Sequence, residues 1–241
     1  MNPLFLGTAE RRIFGIYEPA AEKSGRPRAA VLCYPWGIEY VYAHRSMRHL
    51  AVRLSMSGCH TLRFDYFGTG DSAGDYSETD LAGMESDVES AIESMKDIAG
   101  TRRVSLIGLR VGANVASRVA IRLPSEVEAL VLWDPIISGG QYVRDLEASS
   151  QADSDKAAMS GMLQDLHGID LNPHLEGLPQ HSLIIMTERQ EAYAELNRLI
   201  AANSNPITTE FIAAPCPWVE SSTTTGALPV RVIQRIEEWL P

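Results

Sequence analysis

Cysteine, basic residues and long apolar runs are all scarce in this chain of 241 residues. The three cysteines (Cys33, Cys59 and Cys216) are too few and too scattered for a disulfide framework, and none forms the Cys-x-x-Cys pair typical of metal sites. Lys and Arg number 21 against 31 Asp and Glu, and the resulting net charge of −10 disfavours nucleic acid and anionic membranes as partners. No segment approaches the roughly 18 consecutive apolar residues that a membrane-spanning helix needs.

Metal-ligand spacings and targeting signals are also missing from the sequence. Among the six histidines, His44 and His49 are five residues apart, which differs from the four-residue spacing of a facing pair on a helix. Residues 1–6 show neither the basic segment nor the long apolar core of a secretory signal peptide. We therefore expect a cytoplasmic protein that needs no metal and no cofactor.

What the sequence does contain is an alternation of short β-branched runs with helical patterns, which is typical of a parallel sheet with crossover helices. A content of 45% hydrophobic residues suits one domain over residues 1–241. Residues 3–18 are predicted to form an antiparallel hairpin at the edge of the sheet. The remaining predicted strands cover residues 29–34, 59–64, 104–107, 127–133, 183–186 and 206–212, and the predicted helices cover 44–57, 81–98, 112–123 and 230–240.

An insert over residues 138–180 separates two of the central strands. It is too long for a plain connection between a strand and a helix. Glycines and a proline divide it into short helical pieces (Gly161, Gly168, Gly177 and Pro173). Since connections beyond the carboxyl ends of parallel strands surround the ligand crevice, we expect this insert to form a lid.

The strongest motif is Gly-x-Arg-x-Gly at Gly108, Arg110 and Gly112, which follows a buried strand and precedes a helix of small residues. A sharp turn from strand to helix strains the central residue, and neighbours two positions away must lack side chains to avoid collision. The motif therefore predicts a nucleophile elbow, with arginine at its tip.

Two further segments match the elbow. Residues 65–72 follow the pattern D-x-x-G-x-G-x-S, and residues 34–37 (Tyr-Pro-Trp-Gly) follow a predicted strand. With these motifs the chain resembles the α/β-hydrolase superfamily, and its stretches 35–40, 44–48, 65–74 and 108–113 resemble the serine-aminopeptidase-like branch that includes the exosortase-A-associated hydrolases. The likeness is good over residues 30–140 and loose over the C-terminal third. It implies a mostly parallel central sheet with helices on both faces and a site at the carboxyl ends of the strands.

The resemblance also implies a Ser-His-Asp triad, and two of its positions look vacant. The nucleophile position holds Arg110, whose guanidinium stays protonated and cannot attack a carbonyl. The base belongs in the loop after the last strand, residues 213–222, but the last histidine of the sequence is His181. The acid position falls on Glu188 or, alternatively, on Asp134.

The rest of such a pocket is still present. The Val111 N–H at the helix N-terminus, with Trp36 or Gly37 offering a second N–H, could hold an oxyanion. Arg110 would add a permanent charge there. A carboxylate with a raised pKa could take a proton alpha to a carbonyl. The candidates for this base are Glu39, Glu188 and Glu220, with Tyr40 and His44 at the pocket mouth and Trp218 as a wall.

Structural alternatives remain open for these residues. Arg110 could clamp an anion, or it could be a plug paired with Asp134 or Glu188. Those two acids could orient or pair with other groups instead of acting in catalysis. His44 could begin or cap the following helix.

We therefore expect an enzyme of the α/β-hydrolase fold that tailors a small molecule or modified peptide by non-hydrolytic chemistry alpha to a carbonyl, of epimerase or cyclase type. One alternative is a hydrolase (esterase, thioesterase or peptidase) with an unusual nucleophile such as Cys216. The other is a non-catalytic protein that binds an acyl or peptidyl ligand. A homodimer is compatible with all three.

Overall fold

The computed structural model describes residues 1–21, 25–148, 160–188, 191–202, 207–219 and 228–241. Eight strands form one sheet in the order β1-β2-β4-β3-β5-β6-β7-β8. Their bounds are β1 Asn2–Gly7, β2 Arg12–Glu18, β3 Arg28–Cys33, β4 Cys59–Phe64, β5 Val104–Leu109, β6 Val127–Trp133, β7 Ser182–Met186 and β8 Ile207–Phe211. The helices are α1 Ile38–Met56, α2 Leu81–Ala99, α3 Val111–Arg122, α4 Gly139–Ala148, α5 Ser160–His167, α6 Glu191–Ala202 and α7 Val230–Trp239.

The sheet is parallel from β4 to β8, while β2 pairs antiparallel with β4 and β1 pairs antiparallel with β2. The chain goes from β3 outward to β4 and then crosses back over β3 to reach β5. Because such crossovers are right-handed, α1 and α2 fall on opposite faces of the sheet, where α1 packs beside α7 and α2 beside α3. The order of the strands reverses at β3 and β5. Their carboxyl ends are therefore the expected place for a ligand crevice.

The core lies on both faces of the central strands. All six residues of β5 are buried, and so are all five of β7. Strands covered on both sides have near-continuous apolar sequences, which explains why the runs of Val, Ile and Leu predicted them well.

Helix α1 begins earlier than predicted. It starts at Ile38, after Gly37 with a φ of 68°, so His44 lies inside the helix, and the prediction that His44 begins or caps it is wrong. The prediction relied on the apolar stripe that includes Met47 and Leu50, and the first turn carries Glu39 and Tyr40 instead of such a stripe. Helix α6 was not predicted.

The segment between β6 and β7 holds α4, α5 and a 3-10 helix at Asn172–Gly177. Residues 149–159 of this insert lie outside the described residues. Ser138 pairs with Asp170 in an isolated β-bridge, and Leu166 and Leu171 are fully buried. The described part of the insert is thus packed onto the main body. Of the helices in the described ranges, none is long and apolar enough to cross a membrane.

Candidate active site

Arg110 lies at the turn between β5 and α3, in the left-handed region with a φ of 55°. The two glycines of the motif make this turn sterically possible. A β-carbon at Gly108 would collide with the backbone of Ala113, and one at Gly112 would collide with the carbonyl of Cys33. The same close approach sets the N-terminus of α3 against the loop that follows β3.

The Arg110 side chain is held by groups from four segments of the chain and is only 12% exposed. Its Nε donates to Glu39 Oε1 of α1 at 3.1 Å, and its Nη1 donates to the backbone carbonyl of Asp134 at 3.4 Å. The guanidinium carbon lies 5.4 Å from the centre of the Tyr142 ring and 5.0 Å from that of Trp218. Arg110 therefore pairs with Glu39, a partner that the sequence did not indicate, and aromatic rings lie over the pair.

Burial dominates the electrostatics of this ion pair. It raises the pKa of Glu39, and the neighbouring Arg110 charge and the Tyr142 hydroxyl only partly oppose that shift. For Arg110, burial is the largest single effect and lowers the pKa of the guanidinium, but Glu39, Tyr142 and Tyr193 together outweigh it and raise that pKa. A buried carboxylate with a raised pKa is the usual form of a general base.

Asp134 follows β6 with a φ of 42° and is almost completely buried. Its carboxylate accepts hydrogen bonds from Thr187 N (2.8 Å), Thr187 Oγ1 (2.7 Å) and Tyr193 Oη (3.2 Å). Burial nevertheless raises its pKa to about 6, against the opposing effect of these bonds. With three donors bound to it, this carboxylate links the ends of β6 and β7, and Arg110, which lowers its pKa through space, donates a hydrogen bond only to the Asp134 main chain.

Glu188 and Cys216 form a separate pair beside the site. The Cys216 thiol donates to Glu188 Oε1 at 3.0 Å. Burial and the Glu188 carboxylate raise the pKa of this thiol to about 12, so it carries almost no thiolate at neutral pH. Glu220 lies outside the described residues.

The expected oxyanion groups come together at the N-termini of two helices. Gly37 precedes α1 and Val111 begins α3, and the first N–H groups of a helix have no acceptor within it. Trp36 is buried and stacks on Tyr76 at 5.4 Å. Trp36 and Gly37, but not Val111, line a cavity of about 260 Å³ whose walls include Val41 and Tyr76.

Tyr40 also lines this cavity, beside Trp36 and Gly37, whereas His44 is not part of its walls. The Tyr40 hydroxyl donates to Asp65 Oδ1 at 2.7 Å, and the Tyr40 ring meets His44 edge to face at 6.1 Å. Both residues line a second cavity, beside Arg63, that does not include Arg110 among its walls.

Comparison with known proteins places this chain in a family. The sequence model of the serine aminopeptidase, S33, matches residues 25–234. The chain belongs to the serine aminopeptidase S33 family. No curated protein sequence matches it.

Several solved structures share the fold of this S33 family member. DcsB in complex with its substrate analogue is 16% identical, with a TM-score of 0.69, and the match covers 99% of this chain and 97% of DcsB. Est1E from Butyrivibrio proteoclasticus, with bound ferulic acid, is 13% identical with a TM-score of 0.71 and coverages of 98% and 97%. The Pyrococcus furiosus esterase Pf2001 is 19% identical with a TM-score of 0.71 and coverages of 99% and 89%. These likenesses establish the α/β-hydrolase fold.

Three residues of this S33 site were missed by the sequence analysis. Tyr142 lies in the insert, where no apolar period singles out one residue. Thr187 and Tyr193 bind Asp134, and Tyr193 belongs to the unpredicted helix α6. The position of Thr187 directly after a buried strand is the one signal that could have found it. Within the described ranges, no group of three or more His, Cys, Asp or Glu side chains could hold a metal ion.

Proposed function

We propose that this S33 family member is an enzyme that moves a proton alpha to a carbonyl of a small molecule or modified peptide, as an epimerase or cyclase does. The observation that carries the proposal is the buried pair of Glu39 and Arg110 between the N-termini of α1 and α3. In this proposal arginine replaces the nucleophilic serine, and the triad is absent. No histidine follows His181 in the sequence, which supports the second point.

Glu39 is the base in this proposal. Burial raises its pKa, which makes the carboxylate a stronger proton acceptor once a substrate carbonyl takes its place on Arg110. The C–H bond alpha to the carbonyl breaks, its proton goes to Glu39, and the electron pair becomes an enolate. Arg110 and the N–H groups at the start of α3 stabilise the enolate oxygen. The enolate then takes a proton back at the alpha carbon, as in an epimerase, or adds to a second carbonyl carbon of the same substrate, whose C=O π bond opens and whose oxygen takes the proton from Glu39, as in a cyclase.

The other acids suit this role less well. Asp134 is bound by three donors, and Glu188 accepts from Cys216 at the edge of the site. The three aromatic side chains Trp36, Tyr142 and Trp218 favour a substrate with an apolar part, since apolar rings line most small-molecule pockets.

Exchange with deuterated water tests the proposal. Acyl N-acetylcysteamine thioesters and N-acetylated amino acid esters serve as probes, and mass spectrometry measures deuterium at the alpha carbon. We expect enzyme-dependent incorporation that Glu39→Gln and Arg110→Met each reduce at least about 100-fold. Glu126→Gln, which makes the same change in the surface pair with Lys96, is the control and should keep full exchange. Absence of label from every probe that binds would contradict the proposal.

A binding protein without turnover is the second candidate. It is favoured by the low exposure of Arg110 and by its ion pair with Glu39, because a charge already neutralised can be purely structural. In that case the probes bind without exchange and without hydrolysis. Release of free thiol in the same assay would instead indicate a hydrolase, for which Cys216 is a poor nucleophile at its raised pKa.

A further inference from the structure

A second cavity, of about 180 Å³, lies between β2, β4 and α1, away from the Arg110 pair. Its walls combine apolar residues of β2 with polar groups of the sheet edge and of α1. They include Phe14, Ile16, Tyr34, His44, Arg63 and Asp71. Nothing in the proposed chemistry uses this cavity.

Arg63 in its wall is a buried cation without a carboxylate partner. The residue is 5% exposed. Among the described residues no Asp or Glu oxygen lies within 4.0 Å of its guanidinium. Its Nη2 makes a weak hydrogen bond to Met1 Sδ at 3.9 Å, its guanidinium also interacts with the Tyr34 hydroxyl, and its Nε is buried without an acceptor among the described residues. Buried charges in folded proteins are normally paired. An anion that enters the cavity would supply the partner that Arg63 lacks.

The other groups around the cavity favour the same kind of ligand. The Tyr34 hydroxyl is buried beside Arg63, and its own proton has no acceptor among the described residues. Burial raises its pKa to about 12 against the opposing charge of Arg63, so it keeps its proton and can donate. Burial and Arg63 also lower the pKa of His44, although Asp65 opposes them, so His44 adds no second positive charge at neutral pH.

The negative groups of the wall limit the charge that the ligand can carry. Asp65 is already bound by the Tyr40 hydroxyl and by the backbone N–H of Asp71, at 2.7 and 3.0 Å. Asp71 is exposed and also lines the cavity. One cation facing two carboxylates suits a monoanion better than a phosphate dianion, because like charges repel across a low-dielectric space. The walls formed by Phe14 and Ile16 suit a short alkyl chain.

We propose that this cavity binds a small aliphatic carboxylate, whose oxygens accept hydrogen bonds from Arg63 and Tyr34. A planar guanidinium matches the two oxygens of a carboxylate, which explains why arginine suits this position better than lysine. The site is independent of the proton-transfer proposal, since it contains neither Glu39 nor Arg110.

Fluorine NMR of trifluoroacetate, with neutral trifluoroethanol as the reference probe, tests the site. We expect line broadening of trifluoroacetate alone, and displacement of it by propionate. Arg63→Met should weaken binding at least about tenfold, the effect of losing a charged hydrogen bond, and Arg63→Lys should recover part of it. Tyr34→Phe, which keeps the volume, should weaken binding by about fivefold.

Two other arginines serve as controls that test whether the probe binds at Arg63 and not elsewhere. Arg103 also has a buried Nε without an acceptor among the described residues. It directly precedes β5, at the amino ends of the parallel strands, so Arg103→Met should leave binding unchanged. Arg110→Met should likewise leave it unchanged, whatever it does to deuterium exchange. Equal loss in Arg110→Met and Arg63→Met would overturn the proposal, as would stronger displacement by inorganic phosphate than by propionate. Equal broadening of both probes would show no carboxylate site at all.

Discussion

Two arginines near the carboxyl ends of the strands of the same sheet have contrasting surroundings. Arg110, after β5, has Glu39 as its ion-pair partner and aromatic rings over its guanidinium. Arg63, in β4, is equally removed from solvent but has no carboxylate partner within the described structure and faces a cavity. The first charge is neutralised by the fold itself, whereas the second leaves a place for a ligand.

Helix α1 creates this difference within one turn. Glu39 and Tyr40 are adjacent in sequence, and side chains of adjacent residues on a helix point about 100° apart. Glu39 therefore reaches Arg110, while Tyr40 closes the cavity beside Arg63. The comparison shows that burial alone does not tell a structural arginine from a binding one. The identity of the partner distinguishes a structural arginine from a binding one.

The largest effect is expected when the paired arginine loses its partner. Glu39→Gln leaves a buried cation uncompensated and should lower the free energy of unfolding by about 3–5 kcal/mol, measured by urea denaturation. Combining it with Arg110→Met should restore most of that stability, because no unpaired charge then remains. If the single variant is as stable as the parent, the pair does not act as one neutral unit.

A smaller effect concerns Asp134, which supplies only its main chain to Arg110. Its pKa rises from about 3.9 in the unfolded chain to about 6 in the fold. Between these values the native state binds more protons than the unfolded state. The free energy of unfolding should therefore fall as the pH rises from about 4 to 6, with a contribution of about 2–3 kcal/mol from this group.

Asp134→Asn is the check on that slope, since an amide does not titrate. Denaturation at a series of pH values should show a shallower decline for the variant than for the parent protein. Identical slopes would mean that the pKa of Asp134 in the fold is the same as in the unfolded chain.

The smallest effect is expected at the unpaired arginine. Arg63→Met removes a buried charge that has no protein partner, so the free energy of unfolding should stay within about 1 kcal/mol or rise. Added propionate should raise the Tm of the parent protein and leave the Tm of the variant unchanged, as expected of a ligand that binds only the native state. A loss of several kcal/mol in Arg63→Met would assign Arg63 a structural role like that of Arg110.

Most of the fold could be predicted from the sequence, because its signals are local. Buried strands such as β5 and β6 have apolar runs, and the bend at Arg110 follows from the steric demand of Gly108 and Gly112. The start of α1 was misplaced because its first turn has no apolar stripe. Helix α6 was overlooked altogether.

The partners within the site could not be predicted in the same way. Glu39 and Arg110 are 71 residues apart, and their contact depends on how closely α3 approaches the end of β3. The sequence offered Asp134 and Glu188 as partners because they follow neighbouring strands. The fold turns the first towards Thr187 and pairs the second with Cys216. Such choices depend on side-chain direction at the ends of strands, which spacing along the chain does not encode.

The contact between Glu39 and Arg110 has a consequence for the history of this chain. A mutation of codon 110 to serine would leave the carboxylate of Glu39 buried without its ion-pair partner. A mutation of codon 39 alone would leave the guanidinium of Arg110 in the same state. Each single substitution gives a less stable protein, so we expect the two positions to covary. Descendants of this sequence should therefore keep both residues or exchange both.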